Sequence, residues 1–118
     1  MSAFRPQGDH AAQFRAEGYA VLRGVFGSGE AAEMAAAFDR IQARALAGGR
    51  SWRDRNVYFC LAEEPDAGNL LRYAQWTAWL DPVLERVRRD PRLLAILEPL
   101  IGRDIKQIIN QLHWKPPG

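Results

Sequence analysis

Cysteine is almost missing from the 118 residues: Cys60 stands alone, so no intrachain disulfide forms and a cysteine zinc site is excluded. Histidine is nearly as scarce, with His10 and His113 the two present. That scarcity limits the catalytic constellations. A Ser-His-Asp or Cys-His site sets a base beside a nucleophile, yet there is no nucleophile elbow and no motif frames Cys60. The facial iron site of two histidines and a carboxylate calls for an acid two places after a histidine, and those places hold Ala12 and Lys115. P-loop and dinucleotide glycine motifs are absent, since Gly24, Gly27 and Gly29 lack the spacing and read as turn glycines. No apolar run approaches the roughly 20 residues of a membrane helix, and the N-terminus lacks an apolar signal core; the expectation is a cytoplasmic protein with no membrane partner. Nor is there an excess of one charge. The 16 Lys+Arg against 14 Asp+Glu leave +2, with acids interleaved among the bases, which argues against nucleic acid as a partner.

What is present is ordinary globular material, 47% hydrophobic and 25% charged. Met1 to Gly8 reads as a loose start. Asp9 caps a short helix that Gly18 closes. Tyr19 to Phe26, aromatic and β-branched, reads as a strand stopped by Gly27-Ser28-Gly29. Ser28 then caps a long helix ending at Gly48-Gly49, with Met34, Phe38, Ile41 and Ala45 along its buried face. Trp52 to Arg55 looks exposed, Asn56 to Leu61 has strand character, and Glu63 to Gly68 reads as a loop. The apolar spacing of Asn69 to Leu80 predicts a helix. Asp81-Pro82 and Asp90-Pro91 each set an N-cap acid before a first-turn proline, so two more helices begin there, the second kinked or restarted at Pro99. Asp104 to Lys115 alternates as a strand until Pro116-Pro117-Gly118 breaks it. The class is α+β.

The last strand is the most informative. One face carries Ile105, Gln107, Ile109, Gln111, His113 and Lys115, the other Lys106, Ile108, Asn110, Leu112 and Trp114. The first face becomes polar toward the end while the second stays apolar. Two arrangements give this pattern: a sheet lining a polar cavity, or an edge strand with one solvated face.

Three stretches carry a resemblance: Phe14 to Phe26 (FRAEGYAVLRGVF), Arg89 to Gly102 (RDPRLLAILEPLIG) and Gln111 to Gly118 (QLHWKPPG). Together they are similar to the N-terminal part of the phytanoyl-CoA dioxygenase family, iron(II)- and 2-oxoglutarate-dependent oxygenases. The resemblance implies the N-terminal helices and first strands of a double-stranded β-helix, a cupin-like jelly roll, spanning residues 1–118 as part of one domain whose metal-binding part is absent from the chain. It implies a parent enzyme that hydroxylates a small organic or acyl substrate with O2, and a 118-residue chain that is inactive alone. It also implies that Lys115 binds 2-oxoglutarate, with Gln111 and His113 as candidate pocket lining; no residue is assigned to catalysis or to iron. In the ectoine hydroxylase branch the corresponding stretch begins with a glutamine where this chain has Ile109, which argues against ectoine as substrate.

Trp52, Tyr58, Trp76 and Trp79 are read as packing residues rather than a substrate platform. The arginines 86, 88, 89, 92 and 103 are read as a solvated helix face balanced by Glu85 and Asp90. A competing account takes the chain as a small helix-rich binding module with no catalytic activity.

Overall fold

The computed structural model describes residues 4–6, 8–66 and 68–116. Parts of the expected loose start and of the expected Glu63 to Gly68 loop fall outside these residues, as do Pro117 and Gly118 of the proline break.

Local signals account for the helices. In α1 (His10–Glu17) the Asp9 carboxylate accepts from the Ala12 N–H (2.9 Å), and Gly18 enters the left-handed region at φ 80° to donate to Phe14 O (2.7 Å). α2 (Ser28–Ala47) begins at Ser28 itself, the residue expected to cap it: Gly27 holds the N-cap position one residue earlier, and Glu30 Oε2 accepts the Gly27 N–H (2.8 Å). Ala37, Ile41 and Ala45 are its buried stripe, with Met34 half-buried and Phe38 more exposed. α3 (Pro82–Arg88) and α4 (Pro91–Ile101) start as expected, with Asp81 accepting from Val83 N–H and Asp90 from Arg92 N–H, each at 2.9 Å.

The strands form one antiparallel sheet in sequence order: β1 (Trp52–Asp54), β2 (Val57–Glu64), β3 (Gly68–Gln75) and β4 (Gln111–His113). Its register pairs Phe59 with Ala74, and Ala74 in turn with Leu112. Those side chains join Val57, Leu71, Ala78 and Leu84 beneath the α2 stripe as the core, with Trp52, Leu61 and Trp114 packed around it. Ser51 extends the β1 side, its hydroxyl accepting from Leu61 N–H (2.9 Å) and donating to Leu61 O (3.2 Å). No helix among the described residues is long and apolar enough to cross a membrane.

Several expectations need correction, among them the exposure of Trp52 to Arg55: Trp52 is half-buried against the core within β1. Tyr19 to Phe26 is no strand: it makes no ladder, Gly24 sits at positive φ, and Tyr19 and Val21 are exposed. The segment is tied instead by Arg92, which donates to Val25 O (3.0 Å) and lies over the Phe26 ring (4.4 Å). Asn69 to Leu80 is β3 followed by a single 3-10 turn (Thr77–Trp79), not a helix. A bulge is the reason. Cys60 pairs with Tyr73 and Leu61 with Leu71, so Arg72 is an extra residue, and core-facing Leu71 and Ala74 fall at a helical interval of three. Of the expected Glu63 to Gly68 loop, Glu63 and Glu64 belong to β2 and Gly68 to β3, with a turn at Pro65 and Asp66. Lastly, Asp104 to Lys115 forms a ladder only at Gln111–His113. β3 ends at Gln75, and Trp76 turns away at φ 60° while donating to Asn110 O (2.6 Å), so residues 104–110 have no strand among the described residues to pair with; Ile108 is 73% and Ile109 60% exposed.

Candidate functional site: the polar face of the sheet

Pleating puts alternate side chains of each strand on opposite faces, and the register fixes which residues share the face opposite the core. Arg53 pairs with Tyr58, Tyr58 with Gln75, Cys60 with Tyr73, Tyr73 with His113 and Gln75 with Gln111. A row of rings crosses that face: Tyr58 to Tyr73 at 6.0 Å between centroids, Tyr73 to His113 at 5.7 Å. Burial pushes the Tyr73 phenol up, and the neighbouring Cys60 thiol adds to the rise.

Gln111 and His113, the two expected pocket residues, lie side by side here and are exposed. His113 Nε2 is 3.1 Å from Gln111 Oε1, within hydrogen-bond distance. Lys115 continues the alternation beyond β4, as Trp114 N–H donates to Arg72 O (3.0 Å). With Arg72, Tyr73, His113, Trp114 and Pro116 it borders a shallow groove of about 430 Å³. It also borders a smaller groove of about 190 Å³ on the helix side, between Gln42, Leu70, Leu71 and Trp114. Among the described residues Lys115 has no acidic partner, in contrast to Arg72, which is paired with Glu64.

No family model, curated protein or solved structure matches this chain. Among the described residues no three His, Cys, Asp or Glu side chains converge as a metal site. His10 is buried and bonded to Ile96 O (2.7 Å), which makes it a tie between α1 and α4. The arginine cluster is engaged in ion pairs: Arg86 with Glu33, Arg88 and Arg89 with Glu85, Arg92 with Asp90 and Glu30, Arg103 with Glu98. Trp52 packs on Phe59 (4.6 Å) and Trp76 stacks on Trp79 (5.1 Å).

Tyr58, unlike the other aromatics read as packing residues, belongs to the polar face. Tyr73, Arg53 and Gln75 belong to it as well, and sequence reasoning missed all three. Alternation of Tyr58 and Cys60 within β2 was the available signal; for Tyr73 and Gln75 the bulge hid it.

Proposed function

We propose that this chain is the N-terminal part of an iron(II)- and 2-oxoglutarate-dependent dioxygenase resembling the phytanoyl-CoA dioxygenases, a cytoplasmic enzyme that hydroxylates a small organic or acyl substrate with O2. Its four-stranded sheet, apolar against α2 and polar on the other side, would be one wall of a double-stranded β-helix. The observation that carries the reading is the Lys115 ammonium, which among the described residues has no acidic partner and borders a groove with Tyr73 and His113. A dicarboxylate such as 2-oxoglutarate fits that setting: one carboxylate pairs with Lys115, and the Tyr73 hydroxyl and His113 ring are polar neighbours for the rest.

When bound, iron and 2-oxoglutarate supply the oxygen activation that the hydroxylation requires. The described residues do not form a metal site for that iron. What these residues do in the proposal is bind and orient the diacid, with Gln111 fixing the His113 ring beside it. By itself this chain binds the co-substrate without turning it over.

Calorimetric titration of 2-oxoglutarate at low salt tests this. A hydrogen bond to a charged group contributes about 1.5–3 kcal/mol, so Lys115→Met should weaken binding about tenfold or more. Lys106→Met, in the segment without strand partners, should leave it unchanged. Absence of binding to the parent chain, or equal binding by the Lys115 variant, would contradict the proposal.

A further inference from the structure

The polar face extends beyond the Lys115 groove, and its far end carries a second cation. We propose that this end is a substrate site and that the ligand it takes is an aromatic carboxylate, its acid group held by Arg53 and its ring laid against Tyr58 and Tyr73. The inference deepens the oxygenase reading and rests on it for the word substrate; the binding site itself stands on the geometry.

The Arg53 guanidinium sits over the Tyr58 ring, 4.9 Å from its centroid, and it is exposed with no acidic partner among the described residues. The guanidinium fork matches a carboxylate through two parallel N–H donors, and no acid among the described residues occupies it. Beside it lie the half-buried rings of Tyr58 and Tyr73, inclined at 60° to each other, an aromatic surface on which an arene packs edge-to-face or offset. Repulsion is small. Glu64, the acid that the alternation of β2 places on this face, is paired with Arg72. Arg53 on β1 and Gln111 on β4 lie in one cross-strand row, three strand spacings or about 14 Å apart, and His113 is two residues further along β4. That span holds two small ligands side by side, a diacid near Lys115 and an arene acid near Arg53. A single guanidinium set among rings suits one carboxylate on an aromatic body better than a multiply charged phosphate.

The test uses the 118-residue chain and phenylacetate as probe, with its neutral counterpart phenylacetamide and with 2-oxoglutarate as the second ligand, followed by amide chemical shifts. Phenylacetate should shift Arg53, Tyr58 and Tyr73, and phenylacetamide should bind at least fivefold more weakly. Arg53→Gln should weaken phenylacetate at least fivefold and leave 2-oxoglutarate unchanged. Arg53→Lys, which keeps the charge and loses the fork, should fall between the two. Phenylacetate binding that is absent, indifferent to Arg53→Gln, matched by phenylacetamide, or lost instead in Lys115→Met would overturn the proposal. The failures are separable. If 2-oxoglutarate does not bind while phenylacetate holds at Arg53, the oxygenase reading falls and the arene-acid site remains; the reverse result removes this site alone.

Discussion

Arg92 joins three parts of the chain through one guanidinium. It donates to Asp90 at the start of α4, to Glu30 in the first turn of α2 and to Val25 O, and it covers the Phe26 ring. The 19–27 segment, which forms no ladder, is thereby anchored between two helix N-termini. The same contact holds the Glu30 carboxyl down to about 2 from its ordinary 4.5, first through the Arg92 hydrogen bond and next through the Gly27 N–H. Because the folded value lies below the unfolded one, the stabilisation is complete above about pH 4.5 and is lost as pH falls through about 2. Asp90 is lowered by the same guanidinium and Glu85 by Arg88, and both add to the acid loss. The melting temperature should therefore fall between about pH 5 and pH 2. Glu30→Gln should melt lower than the parent at neutral pH and lose less over that interval. Equal acid slopes for the two proteins, followed by circular dichroism, would rule out Glu30 as a contributor.

The joint between α2 and β1 depends on a missing side chain. Gly48 has ordinary helical angles, but a Cβ there would overlap the Trp52 indole, whose Nε1–H donates to Ala45 O (3.0 Å) and whose ring packs on Phe59. Gly48→Ala should cost about 1–3 kcal/mol through overpacking, read from a urea midpoint, and should move the Trp52 fluorescence. An unchanged midpoint would show that the indole shifts aside freely. Features like this one set how much of the fold was legible beforehand. Asp9, Asp81-Pro82 and Asp90-Pro91 announced their helices because a cap and its donor lie within three residues. β3 was misread because the Arg72 bulge converts a two-residue period into a helical one, and no local signal marks a bulge that depends on the partner strand. The strand propensity of Tyr19 to Phe26 and of residues 104–110 went unused for a related reason: a strand needs a neighbour, and no strand among the described residues lies beside either segment. In the candidate site, Gln111, His113 and Lys115 shared a face by alternation alone. Arg53 and Tyr73 join them only through pairings across the sheet.

As a whole the molecule is extended for its length, with a radius of gyration of 16.9 Å and dimensions of 47 × 31 × 27 Å. A compact domain of this size has about 13.5 Å. The difference reflects where burial is concentrated. β2, β3 and α2 supply most of the core, whereas α4 contains no buried residue and leaves Leu94 47% and Ile101 62% exposed. α1 adds to α4 through the His10 and Arg15 bonds to Ile96 O and Pro99 O. Local stability follows buried apolar contact, so amides of β2 and β3 should outlast those of α1 and α4 in hydrogen exchange by at least about tenfold. Equal protection throughout would mean that the two parts unfold as one. Above the core lies the polar face of the sheet, with the Lys115 ammonium at its edge. The proposed diacid site there is tested most directly by a map of amide shifts as 2-oxoglutarate is added to the isotopically labelled chain. Changes should gather at Arg72, Tyr73, Gln111, His113 and Lys115. Changes gathered at Gln42 and Leu70, changes along the α3 and α4 arginines, or no change at all would contradict it.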